Sequence, residues 1–120
     1  MSIESTLKTR LRALCSNRAW PDFRPPGAVL TRPFITWQQV GGRTVSFLEG
    51  GHPGKRNARV QINVWADDRE TANTLMRTVE VDLLTADKKT SAIGALTALY
   101  EEQMKLYGAR QDFDMWWSDD

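Results

Sequence analysis

A strict alternation of polarity that runs straight into an amphipathic helix restricts the fold more than any other feature. Residues 58–66 read ARVQINVWA. Because successive side chains of a β-strand point to opposite faces, this pattern predicts a strand with one buried and one wetter face. The apolar face would carry Val60, Ile62, Val64 and Ala66, and the wetter face Arg59, Gln61, Asn63 and Trp65.

The segment after this strand predicts a helix over about 68–84. Asp67, followed by Glu70 three residues later, has the pattern of a capping box. Apolar residues then recur at a spacing of 3.6 and form one stripe: Ala72, Leu75, Met76, Val79 and Leu83. Since the helix follows its strand directly, we expect it to pack back onto the sheet.

The first 57 residues contain a second helix and two more candidate strands. Ile3, Leu7, Leu11 and Leu14 recur at helical spacing, which predicts a helix over 3–16 with Ser2 as its N-cap and Ser16-Asn17 as its end. Four prolines lie within residues 17–33 and predict a loop, with Trp20 and Phe23 packing on the core. Strands are predicted over 34–40 and 43–48, joined by a two-residue hairpin turn at Gly41-Gly42. Residues 49–57 contain three glycines and one proline, which predict an exposed loop.

The secondary structure of the last 36 residues is harder to predict from the sequence. Residues 85–91 form a polar loop. Residues 92–107 fit a helical stripe through Ile93, Leu96, Tyr100, Met104 and Tyr107, yet they also fit a strand face, and periodicity alone does not decide between them. Residues 107–117 alternate again and predict a final strand, with Phe113, Met115 and Trp117 on one face and Asp112, Asp114 and Trp116 on the other.

Composition narrows the class of protein. The 120 residues suit a single domain over 1–120. With one Cys and one His, an internal disulfide and a zinc site built from several Cys or His ligands are excluded. The start of the chain has no apolar signal-peptide core, and no apolar run approaches the roughly 20 residues of a membrane span, so we expect no membrane partner.

The charge is divided along the chain. The formal net charge is +1, but residues 1–59 carry ten Lys/Arg and three Asp/Glu, a net +7, whereas residues 60–120 carry six and twelve, a net −6. Such a division could present opposite charges to two neighbours.

The search for a catalytic group yields little. His52 is the one good general base near neutral pH, but it lies in the predicted glycine-rich loop, where a solvated histidine is the simpler interpretation. Asp112 and Asp114 share a strand face and could form a charged contact surface or simply a solvated one. Lys55, Arg56 and Arg59 form a small basic cluster, for which a solvated loop is the simpler interpretation. Trp37 and Trp65 lie on predicted strands and could stack on nucleic-acid bases.

Trp116 and Trp117 point to opposite faces of a strand, so both cannot enter one core. One of the two therefore covers a partner, the helix layer or a subunit interface. Tryptophan is enriched at interface hot spots, so an interface and a plain core position both stay open for the one that faces out.

Together these motifs resemble the bacteriophage tail completion family, also described as tail terminator or tail-to-head joining proteins. The resemblance runs from about residue 5 to 117. It rests on the strand Arg59–Ala66 leading into the helix from Asp68, on Leu99-Tyr100-Glu101 and Leu106-Tyr107, and on Asp112–Trp117, with Asp114 standing where a less acidic residue is usual.

The resemblance implies an α+β fold: a largely antiparallel sheet of about five strands with two helices packed on one face. It also implies that 93–101 is a strand, 102–105 a turn and 106–117 its partner strand.

The function implied by the resemblance is structural. The protein would form a ring, a hexamer, that caps the tail tube and contacts tube and neck or connector proteins around a channel crossed by DNA. It would be located in the virion, and in the host cytoplasm during assembly. It would be no enzyme and have no cofactor, metal or small-molecule substrate. The alternative is a small nucleic-acid-binding α+β module.

Two sets of residues are candidates for contacts with partners. The interface set is Trp65, Asp112, Asp114, Trp116 and Trp117. The set for a flexible docking loop, which we expect to order on contact with tube or neck, is Glu49, His52, Lys55, Arg56 and Asn57. The charge division further suggests that a basic surface of the first half meets an acidic surface of the second half in the ring.

Overall fold

A five-stranded sheet and two helices make up the fold, in a computed structural model that describes residues 3–22, 31–43, 55–86 and 89–118. The elements in chain order are α1 (Ile3–Leu14), β1 (Ala19–Pro21), β2 (Phe34–Gln39), β3 (Lys55–Ala66), α2 (Arg69–Ala86), β4 (Thr90–Glu101) and β5 (Leu106–Ser118). The strand order is β1-β2-β3-β5-β4. Only the β1–β2 pair is parallel, so the expected α+β class with a largely antiparallel sheet is confirmed.

Both helices pack against one face of the sheet. The predicted apolar face of β3 is confirmed, because Val60, Ile62, Val64 and Ala66 are each at most 1% exposed. They form one core with Leu7 and Leu11 of α1, Met76 and Val79 of α2, Trp37 of β2 and Phe113 of β5. We call the opposite side of the sheet, which no helix covers in the described part of the chain, the open face.

Helix α1 ends close to the predicted position. Ser16 and Asn17 have φ angles of 50° and 67°, and the Asn17 N–H donates to the carbonyl of Arg12 at 2.9 Å. A left-handed residue after the last turn closes a helix in this way. The predicted N-cap, Ser2, lies outside the described residues.

Helix α2 is capped one residue later than predicted. The carboxylate of Asp68, not that of Asp67, accepts the Thr71 N–H at 2.7 Å and the Thr71 hydroxyl at 3.0 Å. Asp67 instead pairs with Arg32 at 2.8 Å. Both aspartates suit an N-cap, so the sequence pattern alone did not separate them.

The predicted hairpin turn at Gly41-Gly42 is wrong, because β2 pairs with β3, from Phe34 opposite Trp65 to Gln39 opposite Val60. Past β2 the Val40 N–H donates to the carbonyl of Arg59, and the Arg59 N–H donates to that of Gly41. The glycines therefore continue beside β3. At Gly42, φ is +140°, and a Cβ would lie 2.6 Å from the carbonyl oxygen of Asn57, so only glycine fits there. The rest of the predicted strand, 44–48, lies outside the described residues.

Strand β1 is missing from the sequence prediction, which gave a loop over 17–33. Three residues, Ala19–Pro21, pair in parallel with Ile35–Trp37 of β2. The strand is too short to show a period, and its proline argues against a strand. Trp20 packs on Phe34 of β2 with ring centroids 6.1 Å apart, but this contact lies on the open face and not in the predicted core, whereas Phe23 lies outside the described residues.

Strands β4 and β5 settle the ambiguous region. Residues 90–101 and 106–118 are antiparallel strands, so the pattern implied by the family resemblance is confirmed over the helical alternative. A bulge interrupts β4 between Ile93 and Thr97, where Gly94 has a φ of +77°. The buried Gln111 amide donates to the carbonyl of Gly94 at 3.0 Å and to the carboxylate of Glu80 at 3.1 Å, which ties the bulge to β5 and α2.

Candidate functional site

Members of both candidate sets meet at one end of the β3–β5 pair. In the register of the two strands, Lys55 lies opposite Ser118, Arg56 opposite Trp117 and Asn57 opposite Trp116. Strand β2 stops pairing before it reaches this end, so we call residues 55–57 and 116–118 the ribbon tip. Residues separated by about 60 positions in the sequence thus become direct neighbours.

The prediction that 55–57 belong to a flexible loop is wrong, because all three residues are part of β3. Asn57 is 7% exposed. Its amide nitrogen donates to the carboxylate of Asp114 at 2.9 Å and to the carbonyl of Met115 at 3.2 Å, while its oxygen accepts the Arg43 N–H at 2.8 Å. A buried amide with three hydrogen bonds holds residues 55–57 in the strand and opposes the flexibility expected of a loop. Glu49 and His52 lie outside the described residues.

The two adjacent tryptophans separate as predicted. Trp117 points to the helix side and packs partly buried against the core. Trp116 lies on the open face, also partly buried, and its indole N–H donates to the Asp114 carboxylate at 3.2 Å. The ribbon tip therefore carries aromatic surface on both sides of two paired strands.

Asp112 and Asp114 lie on the open face but have different partners. Asp112 accepts from the Arg59 guanidinium at 2.7 Å, and the Gln61 amide donates to it at 3.4 Å. Asp114 accepts from Asn57 and Trp116. Each carboxylate is thus bonded within its own subunit, across β3 and β5.

Trp65 lies at the other end of the open face. It is eight positions from Asn57 along β3, which is about 27 Å in an extended strand. Its ring covers Gly108 of β5 so closely that a Cβ there would lie 2.7 Å from the Cζ3 atom of Trp65. The structure does not bring Trp65 to the ribbon tip.

Trp37 is unavailable for stacking on a base. It is 1% exposed, and its indole N–H donates to the Glu4 carboxylate at 2.8 Å. This bond ties α1 to β2. The basic residue Arg59 is also engaged, through Asp112. These contacts remove two of the groups on which the nucleic-acid alternative depended.

Sequence reasoning missed Arg69, which binds the end of the β4–β5 hairpin. Its guanidinium donates to the carbonyls of Gly108 and Leu99 and lies 5.2 Å from the ring centroid of Tyr107. A cation in the first turn of a helix opposes the helix dipole. Because this position is unfavourable for the helix, the sequence could have indicated that Arg69 makes a contact outside the helix.

Some of the opposite charges of the two halves of the chain pair with each other within the subunit. Among the described residues, ion pairs join cations of residues 1–59 to carboxylates of residues 60–120. They are Arg10–Asp82 at 3.5 Å, Arg32–Asp67 at 2.8 Å and Arg59–Asp112 at 2.7 Å.

The described residues offer neither a metal-binding cluster nor an activated thiol. They contain no group of three or more His, Cys, Asp or Glu side chains that could hold a metal ion. Burial raises the pKa of the Cys15 thiol, which lies 3.1 Å from the carbonyl of Pro33. Raising a thiol pKa reduces its nucleophilic thiolate form, so Cys15 is a packing residue. Within the described ranges, neither helix is long and apolar enough to cross a membrane.

Comparison with known proteins agrees with the motifs and the fold. The model of the family described as "Tail completion protein gp17" matches residues 5–118. No curated protein matches the chain. The family match covers nearly the whole chain, including all of α1 but its first two residues, the whole of α2, all five strands and the ribbon tip. The chain therefore belongs to a phage tail completion protein family, and its role is that of a structural component of the virion tail.

Proposed function

We propose that copies of this protein assemble into a ring, a hexamer, at the end of the tail tube, cap the tube and join it to the head. The observation that carries this proposal is the ribbon tip, in a chain whose family is structural. The ring would contact the tube and the neck or connector proteins, and DNA would cross its channel without being read in sequence. Subunits would be present in the host cytoplasm before they enter the virion.

The ribbon tip suits docking because it combines rigidity with aromatic surface. Three hydrogen bonds of the Asn57 side chain fix the inner end of the ribbon tip. Binding a partner there therefore costs little conformational entropy. Trp116 and Trp117 supply aromatic area on the two faces, and the exposed Arg56 stands opposite Trp117. Tryptophan and arginine are the residues most often found at interface hot spots.

A contact between neighbouring copies in a ring joins two unlike surfaces. The net charges of the two halves of the chain have opposite signs, and exposed residues of both signs remain beyond the three internal ion pairs. Exposed cations of the first half include Lys8 and Arg43, and exposed carboxylates of the second half include Glu70 and Glu102. We therefore expect assembly to weaken as ionic strength rises.

Tail-to-head joining in vitro tests the proposal. Purified heads and tails lacking this protein are mixed with wild-type or variant protein, and joined particles are counted by electron microscopy. Trp116→Ala removes aromatic area at the ribbon tip, and we expect at least about a ten-fold loss of joining, as for a hot-spot residue. Ile93→Ala, which removes exposed apolar area on β4 outside both candidate sets, is the matched control.

The circular dichroism spectrum and melting temperature of each variant show whether it is folded. A folded Trp116→Ala protein that joins heads to tails at the wild-type level would refute docking through the ribbon tip. Wild-type protein that produces no joined particles would refute the joining function itself.

A further inference from the structure

In the part of the chain that the structure describes, the three most exposed large hydrophobic side chains lie at two places. Val81 of α2 is 63% exposed, Tyr100 of β4 is 51% exposed, and Met104, in the turn after β4, is 42% exposed. Arg69, which binds the base of this turn, lies three helical turns before Val81, about 18 Å away along the helix axis. The subunit therefore has two separate apolar patches, one on α2 and one at residues 100–105, which we call the turn patch.

The patch on α2 is part of an open groove between α1 and α2, with a volume of about 650 Å³. Leu14 and Val81 supply its large apolar side chains. Apart from two charged residues, the rest of its α2 side is made of threonines and one alanine: Thr74, Thr78, Thr85 and Ala86. Exposed helix positions usually carry charged residues, and threonine is a weaker helix former than these. Such a composition favours contact with another protein surface over exposure to water.

The groove has a net positive charge. Arg10 of α1 and Asp82 of α2 form an ion pair at 3.5 Å, so their charges offset each other. Arg77 is exposed, and no ion pair or side-chain hydrogen bond joins it to another described residue. It lies one helical turn before Val81, so an unpaired cation and an exposed apolar side chain are neighbours on the helix surface.

The turn patch has the complementary charge and is held by contacts of its own. The Met104 N–H donates to the Glu101 carboxylate at 2.5 Å, and Tyr100 packs on Tyr107 with ring centroids 4.9 Å apart. Glu102 is exposed, and no ion pair or side-chain hydrogen bond joins it to another described residue. The turn patch thus presents apolar surface beside an unpaired carboxylate, and its binding costs little conformational entropy.

We infer that the turn patch of one copy docks in the groove between α1 and α2 of the next copy. In this contact Tyr100 packs on Val81 of the next copy. Glu102 pairs with Arg77 of the next copy. The spacings are compatible, because residues four positions apart on a helix have Cβ atoms about 5–6 Å apart. Tyr100 and Glu102, two positions apart in the chain, are separated by at most about 7 Å.

Charge and position both select a second copy as the occupant. Every subunit carries an apolar side chain beside a cation at one patch and apolar side chains beside a carboxylate at the other. Since the two patches lie at different places, each copy can bind one neighbour through its turn patch and another through its groove. A contact between unlike surfaces of this kind is what a ring requires. The inference therefore rests on the proposed ring and names the surfaces that form it.

Sedimentation equilibrium of the purified protein over a range of concentrations tests the contact. We expect wild type to associate beyond dimers. Arg77→Glu and Glu102→Arg should each associate at least about ten-fold more weakly, because like charges then face each other. The double variant Arg77→Glu/Glu102→Arg has the net charge of wild type and should recover most of the association. Wild type that is monomeric up to its solubility limit, or single variants that are folded by circular dichroism and associate like wild type, would overturn the contact.

Mixing the two single variants tests whether the contact joins unlike surfaces. An Arg77→Glu copy keeps its turn patch and a Glu102→Arg copy keeps its groove, so the mixture should associate more strongly than either variant alone. The matched control, Gln38→Glu/Gln39→Glu, changes the net charge as Arg77→Glu does, at exposed sites on β2, and should associate like wild type. A mixture that associates no better than its two components would overturn the contact.

The joining assay separates this inference from the proposed function. Arg77→Glu should lower the number of joined particles, and the double variant should restore it. If wild type joins heads to tails and both single variants join them equally well, the contact is wrong and the function stands. Wild type that associates through this contact but yields no joined particles would refute the joining function alone.

Discussion

At the residue scale, the contact of Trp65 with Gly108 shows how one missing side chain makes room for another. We predict that Gly108→Ala destabilises the protein by roughly 1–3 kcal/mol, because the new Cβ would lie 2.7 Å from the indole and overpack the site. In a Trp65→Val background the same change should be neutral or slightly stabilising, since it reduces the freedom of the unfolded chain. Urea unfolding of the four proteins measures both effects, and an equal penalty in both backgrounds would rule out this cause.

Asn57 provides a second test at the same scale. Asn57→Asp replaces the amide donor with a carboxylate beside that of Asp114. A buried carboxylate at position 57 and the partly buried one of Asp114 would repel each other in this variant, which favours binding a shared proton in the folded state. We predict a loss of about 2 kcal/mol or more at neutral pH that shrinks as the pH falls and the pair gains a proton. Asn57→Ser is the uncharged control, and its penalty should not diminish in acid.

At the element scale, the start of α2 depends on Asp68. Hydrogen bonds from the backbone and side chain of Thr71 lower the pKa of this carboxyl below its ordinary value of 3.8. The stabilisation is therefore complete above the unfolded-state pKa and is lost as the pH falls through the lower folded-state pKa. Asp68→Asn still caps the helix but has no carboxyl group to protonate. We predict that its melting temperature falls less than that of wild type between pH 5 and pH 2. Identical acid profiles would contradict this assignment.

Elements in which a hydrophobic pattern repeats over many residues were predictable from the sequence. Elements defined by contacts with distant residues were not. β3 and the apolar stripe of α2 follow directly from periods of 2 and 3.6 residues. β1 is too short to show a period, and Gly41-Gly42 resembles a hairpin turn until the partner of β2 is known to be β3. The same limit applies to the candidate site. Arg56 and Trp117 could each be selected as surface residues, but their pairing depends on the β3–β5 register.

At the scale of the whole molecule, some of the opposite charges of the two halves of the chain pair within the subunit and stabilise it. Arg59 and Asp112 lie on adjacent strands and pair at 2.7 Å. We predict that Asp112→Arg lowers the free energy of unfolding by roughly 1 kcal/mol or more, since it places two cations side by side. The exchanged double variant Arg59→Asp/Asp112→Arg should recover most of this loss in chemical denaturation. A stable exchanged protein that fails in the joining assay would place this pair of residues in a contact that joining requires.

The length of the β3–β5 ladder has a mechanical consequence. Twelve residue pairs connect the ribbon tip to the Trp65 end of the sheet, without interruption in the register. A pull along the strands that holds β3 at one end and β5 at the other loads all these hydrogen bonds in shear, so they share the force and do not break one after another. In the proposed ring, such a ladder would carry tension between the two ends of the subunit as one stiff element.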